Sequence, residues 1–170
     1  MTAPSSSSTP RTRGWVHILV ACVAAFAVAA IGGALTDIGP WYLGLKQPSW
    51  KPSDAAFGPV WTTLFVLCAV SGVIGWERAP NAASRRSMLW AFGMNGVLNV
   101  VWSLLFFKLR RPDLAGFEVL FLWASIVMLI VLLKRWAPIS AWLLAPYLVW
   151  VTLAVSINWA VVVFNGPFGH

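Results

Sequence analysis

The chain has 170 residues, of which 59% are hydrophobic and only 10% charged, with a mean hydropathy of +0.78. Soluble domains carry about 25% charged residues, so this chain has too little charge to cover itself against water. That excludes a soluble enzyme, a disulfide-stapled secreted module and a disordered tail protein, and leaves lipid as the solvent. The net charge of +7 comes from Lys and Arg in short segments between apolar runs, where they anchor topology. No basic stripe exists to follow nucleic-acid phosphates. Tryptophan is in surplus, at 12 residues against 2 tyrosines.

Residues 1–14 are rich in Ser, Thr and Pro, carry Arg11 and Arg13, and read as a disordered basic tail. Crossing a bilayer core of about 30 Å takes about 20 apolar residues as a helix. The first such run is 15–35. Its Ala27-Val28-Ala29 is similar to a signal-peptide cleavage site, but the run is longer than the usual h-region of about 7–15 residues. Ala21, Ala25, Ala29 and Gly33 recur every fourth residue along it and admit another helix closely, from the same chain or a second copy. The connection 39–56 follows, with Trp41, Tyr42, Trp50 and the prolines Pro40, Pro48 and Pro52. It is apolar yet cannot be one helix. Two readings stand: an aromatic belt in the headgroup layer, or a fold over a cavity. Further runs are 57–76, 88–107, 114–133 and 139–164, the last with Pro146 inside it, and 166–170 is a C-terminal tail. The expectation is an all-α integral membrane protein, a bundle of five transmembrane helices in one domain spanning 15–165. Seven basic residues on the N-terminal side against five on the other weakly favour a cytoplasmic N-terminus.

Polar groups inside the apolar runs carry the most information, because an unsatisfied amide in hydrocarbon is costly. In the third run Asn95, Asn99, Trp102 and Phe106 share a helical face; in the fifth Trp150, Ala154 and Asn158 do, with Pro146 and Tyr147 a turn earlier. In the second, Trp61, Phe65, Cys68 and Gly72 fall together. These stripes fit interhelical bridging by Asn and Trp alone, or a bundle cavity lined by aromatics. Asp37, Asp54, Glu77 and Asp113 fall at run ends as interfacial or capping groups. Glu118, about a turn into the fourth run, either reaches the interface or is a buried proton relay. Cys22 and Cys68 read as small hydrophobes. His17 and His170 have no ligand-spaced neighbours, so no protein-bound metal is expected. Phosphate loop, nucleophile elbow and paired carboxylates are all missing from the sequence.

The run Trp41-Tyr42-Leu43-Gly44-Leu45-Lys46-Gln47-Pro48-Ser49-Trp50-Lys51-Pro52 resembles the first-loop signature of the TspO/MBR family, the tryptophan-rich sensory proteins and the translocator protein. Gly58-Pro59-Val60-Trp61-Thr62-Thr63-Leu64-Phe65 resembles its second-helix motif, and Leu98-Asn99-Val100-Val101-Trp102-Ser103-Leu104-Leu105-Phe106-Phe107 its third. Pro146-Tyr147-Leu148-Val149-Trp150 with Ser156-Ile157-Asn158 resembles the fifth. The resemblance implies a five-helix bundle, commonly a homodimer, whose first loop lids a pocket for protoporphyrin IX, other tetrapyrroles and lipophilic drugs. It implies no obligatory cofactor. The implied pocket residues are Trp61, Asn99, Trp102, Trp150 and Ala154, with Trp41, Pro48 and Trp50 in the lid. Phe65, Asn95, Phe106, Tyr147 and Asn158 join them from the stripes.

Gln47 departs from the Lys usual in the family and Ser53 from a frequent Pro, which puts lid stiffness in question. Phe117 stands near a position that is Trp in animal members. No basic residue follows Asn158 and Trp159 closely, so sterol binding is not carried over. The leading functional expectation is a membrane sensory or regulatory protein that binds a tetrapyrrole, in a bacterial membrane, inner or outer left open. Two alternatives are light-dependent porphyrin breakdown through Trp61 and Trp150, and transport of porphyrin or lipid. Transport is disfavoured by the lack of an inverted repeat or a mid-membrane charge pair.

Overall fold

The structure is a computed structural model that describes residues 14–168. The basic tail with Arg11 and Arg13, and His170, lie outside the described residues. All regular structure among them is helical. The helices are α1 (Gly14–Leu35), α2 (Pro40–Leu43), α3 (Asp54–Arg78), α4 (Ala82–Ser103), α5 (Pro112–Lys134), α6 (Pro138–Leu143) and α7 (Ala145–Asn165). A π turn, Leu104–Lys108, continues α4. Five stretches are long and apolar enough to cross a membrane: α1, α3, α4 with its π turn, α5, and α6–α7 together.

The helices overrun the apolar runs at their ends. Asp54 to Ala56 already belong to α3, and α4 begins at Ala82, where the Asn81 side chain accepts from the Ser84 amide at 2.8 Å. The fifth span is interrupted rather than continuous. Leu144 ends α6, and Pro146 sits in the first turn of α7, where its missing N–H costs nothing.

Around the bundle α1 packs on α3 and α4, α4 on α5, α5 on α7, and α3 on α6. α5 is the most enclosed helix, with Val119, Leu122, Ile126, Leu129 and Leu133 at 2% exposure or less. α1 is the most peripheral, and Phe26 on it is 74% exposed. On its bundle side Gly32 lies under Asn99 and Ser103, while Val28 packs on Gly96. Ala21, Ala25 and Ala29 are half-buried within the chain, but Gly33 has open space beside it. The tightest approach is at Gly75 of α3, where an added Cβ would lie 2.8 Å from both Leu133 Cδ2 and Met88 Sδ. Beside it Ser71 and Ser140 bond reciprocally, joining α3 to α6. His17 of α1 meets Glu77 of α3 at 3.1 Å near one membrane face.

Candidate functional site

Three helices send amides and rings to the middle of the bundle. Asn99 Nδ2 donates to Tyr147 Oη at 3.2 Å, and that hydroxyl donates to Asn95 Oδ1 at 3.3 Å. Asn95 Nδ2 then donates to Ser125 Oγ at 2.8 Å, and Ser125 donates to the Leu122 carbonyl. This chain ties α4, α7 and α5 together. A second tie starts at Trp102, whose Nε1 donates to Asn158 Oδ1 at 3.1 Å, while Asn158 Nδ2 donates to the Pro112 carbonyl at 2.7 Å. The approach is close because position 116 is glycine: a Cβ there would sit 3.1 Å from the Asn158 amide. Asn95, Asn99, Tyr147 and Asn158 are thus bonded to other helices.

The indoles expected in the pocket do not enclose one void. Trp61, Trp102 and Trp150 flank a single buried cluster made of Leu64, Val119, Leu122, Ile126, Tyr147 and Val151. Two spaces lie beside that cluster. One is an open groove of about 580 Å³ between α3 and α7, with Pro59, Val60, Leu64, Val149 and Trp150 on its walls. The other is a chamber of about 40 Å³ under the 39–53 connection. Its wall holds Tyr42, Gln47, Lys51, Phe57, Trp102, Phe106, Phe107, Ala154 and Asn158, among others. Phe57 of the chamber wall meets Trp150 of the groove edge-on, with centroids 5.3 Å apart. Phe65 stacks on Trp61 at 5.5 Å and stays out of both walls.

Rings crowd the chamber end. Trp102 stacks on Phe106 at 5.2 Å, Trp41 meets Phe106 edge-on at 6.2 Å, and Tyr42 leans on Phe107 at 5.6 Å. The connection above folds into the short helix α2 and is tied down at two points. Lys46 N donates to Asn165 Oδ1 and Asn165 Nδ2 donates to Lys46 O, each at 2.8 Å, so one amide imitates a strand pair. Tyr42 Oη donates to Asp54 Oδ1 at 2.8 Å, and Lys51 Nζ donates to both Tyr42 Oη and Asp54. Burial draws the Lys51 ammonium down, but the bonds with Asp54 and Tyr42 win and hold it above its ordinary value. Burial pushes the Tyr42 phenol up. Pro48 is buried in this fold, whereas Trp50 is 56% exposed and lines neither space. Of the two readings of this connection, the fold over the helix ends is the geometry seen; only Trp50 retains a belt-like exposure.

Two polar groups escaped the sequence-based site. Glu118 is 8% exposed, and neither carboxyl oxygen has a partner. Gln47 Oε1 is buried and equally unpartnered. Nothing in either residue's spacing signals this, because an orphaned atom is a property of packing.

A five-span bundle with the first connection folded over its end bears out the architecture that the motifs imply. The family model for the TspO/MBR family matches residues 19–164. The chain belongs to the TspO/MBR family. It is 34% identical to the tryptophan-rich protein TspO of Archaeoglobus fulgidus, over 88% of this chain and 99% of that one. It is also 34% identical to protein CrtK of Rhodobacter capsulatus, over 84% and 86% of the two chains. To the human translocator protein it is 29% identical, over 71% and 72%. This TspO/MBR member is a multi-pass membrane protein.

Proposed function

We propose that this protein binds protoporphyrin IX or a related tetrapyrrole within the helix bundle and serves a sensory or regulatory role, as a homodimer in a bacterial membrane. The observation that carries the reading is the chamber under the 39–53 connection, with Trp102, Phe106, Phe107, Tyr42 and Phe57 presenting ring faces and edges to one space. Aromatic walls of this kind suit a flat macrocycle through stacking. Ligand sites measure about 300–1,000 Å³, so the chamber at about 40 Å³ is a closed form. Binding requires the connection to lift and Phe57 to yield, joining the chamber to the α3–α7 groove. The groove opens sideways on apolar walls, which gives a lipophilic ligand a route from the bilayer. Trp150 lies where the two spaces would merge and touches Phe57, which favours Trp150 as a contact and keeps photochemical breakdown as the second reading.

Titrating the detergent-solubilised protein with protoporphyrin IX while following Trp fluorescence tests the binding. Saturable quenching is expected, with affinity lowered about tenfold in Trp102→Leu, the loss of one stacked aromatic contact. Linear, unsaturable quenching identical to that of a free tryptophan analogue in the same micelles would refute binding. Illumination then separates the two readings. Conversion to a bilin-like product that stops in the Trp61→Phe, Trp150→Phe double variant would make the protein an enzyme.

A further inference from the structure

The polar atoms of the chamber wall are nearly all spoken for. The Tyr42 hydroxyl donates to Asp54 and accepts from Lys51, and the Lys51 ammonium, the one cation in the wall, is neutralised by Asp54. Both ends of the Asn158 amide are bonded, to Trp102 and to the Pro112 carbonyl. Gln47 is the exception. Its Oε1 is buried without a partner, while its Nε2 donates to the Tyr42 carbonyl at 3.4 Å. That bond sets the amide's direction, since turning it over would place two carbonyl oxygens against each other. A buried acceptor with no donor calls for an explanation, and in a ligand chamber the fitting one is a donor on the ligand.

We propose that Gln47 determines ligand specificity, offering its Oε1 to a neutral N–H or O–H group at the ligand's edge, so that the lid end of the chamber selects a neutral donor over a carboxylate. The inference rests on the tetrapyrrole reading above. A carboxylate brought here would face the carbonyl oxygen of Gln47 and an ammonium already paired with Asp54. It would lose hydration and gain no free cation.

Three forms of one macrocycle test this: protoporphyrin IX as the diacid, its dimethyl ester and its diamide, each titrated by Trp quenching. The wild type is expected to bind the diamide about tenfold tighter than the diacid, and tighter than the ester, which is neutral but lacks a donor. Gln47→Leu should erase the diamide's advantage over the ester. Gln47→Lys should reverse the first ranking, with the diacid about tenfold tighter than the diamide through a charge-assisted bond. Wild-type preference for the diacid overturns the proposal, as does a diamide advantage that survives in Gln47→Leu. Should Gln47→Lys fail to fold, the wild-type ranking and the Gln47→Leu comparison still decide. If none of the three forms saturates, the tetrapyrrole reading falls and takes this inference with it. Saturable binding of all three without the ranking defeats the Gln47 assignment alone.

Discussion

Glu118 is the residue whose chemistry is least explained by packing. It lies on the enclosed side of α5, seven residues before Ser125 and so about two turns along the same face. Both carboxyl oxygens are buried and unpartnered. Replacing an orphaned polar group by an apolar one of similar volume removes a desolvation penalty. Glu118→Leu is therefore expected to stabilise the bundle by about 1–3 kcal/mol, read as a higher thermal midpoint in detergent. Glu118→Gln, which keeps polar atoms in place, should not. A lower midpoint for the leucine variant would mean that the carboxyl has a partner in the folded bundle, and would refute the orphan assignment.

At the scale of elements, the sequence locates the spans better than it orients them. Run length and charge place five spans in order because hydrocarbon thickness acts on every residue alike. Helix ends are different: α4 starts at Ala82 since Asn81 caps it and Arg85 and Arg86 are helix formers outside the apolar core, and hydropathy does not see a hydrogen-bond ladder. Faces are the harder part. The enclosed line of α3 runs through Leu64, Ser71 and Gly75, a step round from the Trp61, Phe65, Cys68 and Gly72 stripe. In α4 it runs through Met88, Ala91, Asn95, Asn99 and Ser103, with Phe106 brought to the same side through the π turn. With apolar residues on every side, a span has almost no amphipathic signal, and small residues at close approaches decide its rotation instead. Gly75 is the sharpest such approach. Gly75→Val would drive branched carbon into Leu133, Met88 and the Ser71–Ser140 pair, and should cost about 1–3 kcal/mol by overpacking. Denaturant or thermal unfolding checks it, and an unchanged midpoint would show that α3 can back away from α5 freely.

Over the whole molecule, one end of the bundle is closed by an irregular connection and one side is left open between α3 and α7. Recognising the signature residues identified the connection, but its two ties come from partners far away in sequence, Lys46 with Asn165 and Tyr42 with Asp54. The Lys46–Asn165 bonds hold no titratable group, and the high-pH behaviour of the Tyr42–Asp54 tie follows from Lys51. A lysine held above its ordinary value by its partners contributes its full stabilisation below the ordinary lysine pKa, and loses it only as pH rises through the higher folded value. The connection is therefore tied down throughout the neutral range, and its release must come from breaking bonds rather than from titrating Lys51. The Asn165 clamp is the place to cut. It lies half-buried at the end of α7, with both of its bonds to Lys46 made by one side chain. Asn165→Ala removes these bonds and leaves the Ser71–Ser140 pair and the Asn95–Tyr147 chain untouched. Amide hydrogen exchange at Lys46 is expected to speed up about tenfold, the loss of a partly exposed hydrogen bond, while amides in the middle of α5 keep their protection. Faster exchange throughout α5 would mean that the clamp supports the whole bundle, and unchanged exchange at Lys46 would mean that the connection is held by the Tyr42–Lys51–Asp54 tie alone.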